Sequence, residues 1–116
     1  MLKIIDNPEI WWPVTVAQPR SDGSGRMDKL RIEVLYRPLR RSEAAQLIPA
    51  DKDDWSQAER DEYTLERISE HILDWRGDVD VDFSEDSLSI ALDTPYIADA
   101  LIRGLRECSE GGRAKN

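Results

Sequence analysis

The spacing of apolar residues changes period part-way along this chain. Residues 10–17, IWWPVTVA, alternate with Trp12, Val14 and Val16 on one side, and residues 29–37, KLRIEVLYR, alternate with Leu30, Ile32, Val34 and Tyr36 on one side. A period of two predicts two half-buried strands. Between them lies PRSDGSGRMD, whose Pro19, Gly23 and Gly25 predict a turn longer than a two-residue hairpin, and hence a loose-tipped antiparallel pair. Pro13 has no N–H to give to a ladder, which puts the first strand at a sheet edge or a bulge. A two-stranded ribbon also needs cover on its apolar face. LKII at residues 2–5 is a candidate third strand, though very short.

From Ser42 onward the period is about 3.6. Pro38 ends the second strand, and Ser42 caps a short helix, SEAAQLI, which stops before Pro49 because proline disfavours helical geometry in the preceding residue. The longest helix is expected from Ser56 to Trp75. Leu65, Ile68, Ile72 and Trp75 recur there at spacings of three and four, while Glu59, Arg60, Glu66, Arg67, Glu70 and Asp74 fall off that stripe. Ser56 and Glu59 form a capping-box pair, and Arg76-Gly77 offers a cation and a left-handed exit for the far end. Phe83 and Leu88 flank the N-cap Ser84 as a hydrophobic staple, with Glu85 and Asp86 in the first turn. A last helix begins at Thr94-Pro95 and carries Ile97, Leu101, Leu105 and Cys108 on one face; Gly104 within it predicts close approach by another backbone, and Gly111-Gly112 ends it.

These elements predict a single α+β domain over residues 1–116. An N-terminal antiparallel β-ribbon of two to three strands occupies 1–41, three to four packed α-helices follow over 42–110, and 111–116 form a mobile polar tail. The length of 116 residues suits one core. No apolar run approaches the roughly 18 residues of a membrane span, and MLKIIDNPEI lacks the plan of a signal peptide, so a soluble cytoplasmic protein is expected. Cys108 is the only cysteine, which excludes an intrachain disulfide and a cysteine-based zinc site. Charge is divided unevenly. Residues 1–41 carry 8 basic and 5 acidic side chains, net +3, and residues 42–116 carry 8 and 19, net −11. This division argues against nucleic-acid binding by the helical half and leaves the N-terminal half free to meet an acidic partner or another subunit.

Candidate chemistry is sparse. Asp78, Asp80 and Asp82 alternate as in a calcium loop, but the sixth position is Phe83 where an EF-hand needs glycine, and the twelfth is Ser89 where it needs glutamate. The plainer expectation is an extended loop with Val79 and Val81 turned inward and the aspartates in water. His71, the only histidine, has no nucleophile motif near it and is expected at a boundary or on the surface. No glycine loop precedes a helix as phosphate binding requires. Neither enzyme activity, cofactor nor metal is expected. Trp55 has two readings, a core residue folded back on the helix start or an exposed partner anchor.

The order of these segments resembles the tail assembly chaperones of long-tailed, siphovirus-type bacteriophages, in their shorter form. The likeness runs from about Trp12 to the C-terminus: a strand-loop-strand ending in EVLYRPL, then SEAAQLI, ISEHILDWRG, a valine-bearing acidic loop into FSEDSL, TPYIADALIRGL and a charged tail ending in KN. Trp75-Arg76-Gly77, Phe83-Ser84 and Pro95-Tyr96 carry most of it. The loop between Gly77 and Phe83 departs from it by being short and lacking an Asp-Gly turn, and Trp11-Trp12 and Cys108 are unusual. The resemblance implies a non-catalytic protein of the host bacterial cytoplasm, absent from the mature virion, that holds the tape measure protein soluble and helps recruit tail tube subunits. It also implies, in many such phages, a longer frameshifted form. Trp55 and Tyr96 are the expected partner-binding residues, homo-oligomerisation is left open, and no nucleic acid or membrane partner is expected. The alternative is a small acidic adaptor or nucleic-acid mimic that blocks a basic groove, since residues 51–86 carry 14 acidic and 4 basic side chains.

Overall fold

The two alternating segments pair as their pattern requires. In a computed structural model of the chain, which describes residues 1–49 and 54–111, β1 (Ile10–Pro19) and β2 (Met27–Tyr36) form an antiparallel hairpin, with Val14 opposite Ile32 and Trp12 opposite Val34. Four helices follow among the described residues: α1 (Arg41–Ala45), α2 (Gln57–Ser69), α3 (Glu85–Leu92) and α4 (Pro95–Ser109). The sheet has a third strand, β3 (Ile72–Gly77), antiparallel to β2, so the strand order is β1-β2-β3 and the fold is α+β. Pro13 lies on an edge strand, as its missing N–H requires.

The third strand corrects two expectations. LKII at residues 2–5 is not a strand, and the long helix does not reach Trp75; it stops at Ser69, with the His71 N–H turning back to the Ile68 carbonyl at 2.9 Å. The misleading signal was the spacing of Ile72 and Trp75, three apart. Residues three apart in a regular strand face opposite sides, yet both are buried here. A β-bulge explains it: Tyr36 pairs with Ile72 but Leu35 with Asp74, so Leu73 is an extra residue that returns Trp75 to the inner face opposite Val34. What decides for strand over helix is the far edge of β2, whose backbone groups need partners at the heart of the domain. Gly77 keeps its left-handed role at φ 105°, but it ends a strand and not a helix.

Local expectations elsewhere fare variously. Ser56 caps α2, accepting from the Glu59 N–H at 3.2 Å, and Ser84 caps α3. Ser42, by contrast, lies inside α1: Arg40 is the N-cap, its N–H donating to Glu43 Oε1 at 2.9 Å, and the helix ends at Ala45, before Leu47 and Ile48. Val79 packs on the core as expected, but Val81 is half exposed because its carbonyl turns in to accept the Trp75 indole N–H at 2.9 Å. The third strand β3 comes from within residues 42–110, the part expected to be helical. Most of the tail assignment, residues 112–116, lies outside the described residues.

The core is a single layer of sheet covered by helices. Val14, Val16, Ile32, Val34 and Tyr36 meet Leu101, Leu105 and Cys108 of α4, with Ile68, Trp75 and Leu88 extending the cluster. Tyr36 is wholly buried at 0% exposure, and its hydroxyl donates to the Leu101 carbonyl at 2.7 Å. Gly104 makes room for this. A Cβ there would overlap Tyr36 Oη and lie 2.7 Å from Val14 Cγ2, so the close approach expected of Gly104 is made by side chains of the sheet and not by another backbone.

Two outcomes follow from this contact. Gly104→Ala should destabilise by about 1–3 kcal/mol as overpacking, because the fixed Tyr36 ring outweighs the helix gain of about 1 kcal/mol from alanine; denaturant titration will measure it. Burial, with Cys108 and Glu107 adding to it, holds the Tyr36 phenol well above its usual 10.0. The unfolded tyrosine therefore ionises first, the folded chain retains more protons, and stability falls as pH rises above about 10. Melting temperature should decline over that range in the native chain and less steeply in Tyr36→Phe.

Candidate functional site

Trp55 stands immediately before the cap of α2, and its ring leans on Tyr63, centroids 5.8 Å apart and planes tilted 57°. One turn further, the Arg67 guanidinium lies 4.8 Å from the centre of the Tyr63 ring. Residues 63 and 67 share a helical face, so Trp55, Tyr63 and Arg67 make a ridge along α2. Trp55 is half-buried and outside the core cluster, packed on its own helix. The adjacent face of α2 is tied inward by buried Ile68 and by the Thr64 hydroxyl, which donates to the Leu47 carbonyl at 2.8 Å. Tyr96 lies in the first turn of α4, half-buried and packed against the core. The two expected partner-binding residues thus stand on different elements. Around the helices Ile48 and Ile90 are 76% and 70% exposed.

His71 departs from the boundary or surface position expected of it. It is 3% exposed, in the two-residue reversal between α2 and β3, where the turn carries it beneath the end of the sheet. Nδ1 lies 2.7 Å from the Arg37 carbonyl, which can only accept, so Nδ1 carries the proton. Nε2 lies 3.5 Å from Glu43 Oε2, and the Arg37 N–H donates to the His71 carbonyl at 3.0 Å. The two bonds to Arg37 latch the start of β3 to the segment after β2. Nδ1 is spent on the Arg37 carbonyl, and Nε2 faces a carboxylate to which it can donate only when the ring is protonated. Cys108 is buried, and burial pushes its thiol up. Asp78, Asp80 and Asp82 are exposed, and no group of three or more potential metal-binding side chains gathers among the described residues.

One feature of the outer sheet face was missed from sequence. Arg76 stacks over Trp11, 3.9 Å from guanidinium carbon to ring centre, and its Nε donates to Glu33 Oε1 at 3.0 Å. The Trp11-Trp12 pair gives the signal for half of this, because neighbours on a strand face opposite ways. Arg76 could not be placed with it while the chain around it was read as helix. Trp12, on the inner face, donates its indole N–H to Glu107 of α4 at 3.4 Å.

His71→Ala should cost about 1–3 kcal/mol through the unpaired Arg37 carbonyl and the vacated space, and an unchanged denaturation midpoint would show that the latch contributes nothing. No family model, curated protein or solved structure matches this chain.

Proposed function

We propose that this protein is a non-catalytic phage tail assembly chaperone, which binds and solubilises the tape measure protein in the host bacterial cytoplasm and helps recruit tail tube subunits. The observation that carries the reading is the Trp55–Tyr63–Arg67 ridge on α2. A tryptophan held by its own helix offers a large apolar face at small entropic cost, which suits the capture of an amphipathic helical client. Exposed Ile48 and Ile90 add aliphatic surface on the helical layer. The resemblance at Trp75-Arg76-Gly77, Phe83-Ser84 and Pro95-Tyr96 supplies the identity of the client. Trp55 is the main anchor, and Tyr96, part of whose ring is given to the core, is the lesser one. A net charge of −8 keeps a loaded complex from associating further.

The exposed carboxylates of Asp78, Asp80, Asp82, Glu85 and Asp86 favour the second reading, an acidic adaptor that occupies a basic groove. Co-expression separates the two. Under the chaperone reading the tape measure protein moves from pellet to supernatant and co-purifies through salt that would screen a charge-only contact, and Trp55→Ala lowers the yield of complex while the chain stays folded. A client left insoluble, with no co-purification at low salt, removes the chaperone reading and promotes the adaptor.

A further inference from the structure

The side of β1 that faces away from β2 has no neighbouring strand among the described residues. Its hydrogen-bonding phase follows from the turn: the Arg20 N–H donates to the Arg26 carbonyl at 2.9 Å, one step beyond the pair Pro19↔Met27. Bonded and non-bonded pairs alternate in an antiparallel ladder, so Gln18, Val16 and Val14 bond to β2, while Pro19, Ala17, Thr15 and Pro13 turn their nitrogens outward. Both prolines therefore fall where a missing N–H costs the ladder nothing, and they blunt the open edge at two positions. Between them Thr15 and Ala17, both exposed, present two outward N–H groups.

A cleft of about 230 Å³ lies against this stretch, lined by Pro13, Thr15 and Arg31 from the sheet and by Arg103, Gly104 and Glu107 from α4. Arg31 is the cross-strand neighbour of Thr15 in a non-bonded pair, which sets the two side chains close together on one face, and both residues line the cleft. Neither the Arg31 nor the Arg103 guanidinium has a hydrogen bond or ion pair with a side chain among the described residues. Glu107 gives one carboxylate oxygen to the Trp12 indole, which leaves the cleft with a net charge of +1 from two cations and one anion. An open ladder segment and two arginines thus border one cleft. The ladder recognises extended backbone, and the guanidinium groups recognise carboxylate.

We propose that this cleft receives an extended acidic segment of a partner protein, which pairs with β1 between Pro13 and Pro19 as a short fourth strand and sets an Asp or Glu side chain between Arg31 and Arg103. Glu107, at the α4 side, repels a second carboxylate and so fixes the register of the segment. The site lies apart from the Trp55 ridge and does not depend on the tape measure reading.

Fluorescence polarisation on the full chain tests this with a short labelled peptide that alternates acidic and β-branched residues. The same peptide with Asn and Gln in place of the acids should bind at least about tenfold more weakly, and raised salt should narrow that difference. Arg31→Glu and Arg103→Glu should each weaken the acidic peptide by about tenfold or more, with the circular dichroism spectrum unchanged. Thr15→Pro removes an outward N–H and no β1–β2 bond, and should weaken it as well; a peptide N-methylated at alternate backbone nitrogens tests the same ladder without altering the protein. Equal binding of acidic and neutral peptides, no binding of the acidic one, or arginine variants that bind normally would overturn the proposal. Arginine dependence with full tolerance of both Thr15→Pro and the N-methylated peptide would reduce the site to an anion pocket and overturn strand addition.

Discussion

The hydroxyl of Tyr36, donated to a carbonyl in the middle of α4, holds the two halves of this domain together. A buried phenol without a partner would cost more than it gained, and a tyrosine at this depth is tolerable because the Leu101 carbonyl has a second lone pair beside its helical bond. Gly104, one turn on, removes the only atom that would stand between them. The helix can then lie directly on β1 and β2 and cover the apolar face that a hairpin cannot leave in water. Sheet, helix and hydrogen bond are mutually conditional: without the glycine the ring has no room, and without the ring α4 would lie over a void.

The second organising contact is β3. It takes the remaining side of β2, and its Trp75 carries the core toward α3 through an edge-on contact with Phe83 at 5.0 Å and the indole bond to Val81. Its position depends on His71, which lies in the reversal after α2 and bonds the chain beyond β2. Beyond β3, Asp78, Asp80 and Asp82 are turned outward from this buried framework. No helix of the described residues is long and apolar enough to cross a membrane.

This arrangement places the groups of greatest intrinsic reactivity inside. The imidazole and the thiol are packing elements, and the exterior is built of charge, isolated aliphatics, the aromatic ridge of α2 and the arginine-lined edge of β1. The two proposed contacts use different physics: the ridge offers apolar area that persists in salt, whereas the edge offers directional hydrogen bonds and charge that salt weakens.

The hairpin, the caps of α2 and α3, the proline start of α4 and the buried face of that helix were all legible in the sequence, because each depends on residues within a turn or two of one another. The inward choice of Val14, Val16, Ile32, Val34 and Tyr36 follows from alternation alone. What only the tertiary structure decided was the fate of residues 70–77. Their spacing satisfies a helix as well as a bulged strand, and the choice fell to the empty edge of β2, a partner 36 to 45 positions earlier in the chain. The burial of His71, the stacking of Arg76 on Trp11 and the cleft that Arg31 and Arg103 both line all follow from that choice or from the docking of α4. Local pattern sets which face of an element is apolar; which neighbour covers it, and which polar groups the neighbour brings, is settled only when distant segments compete for the same surface.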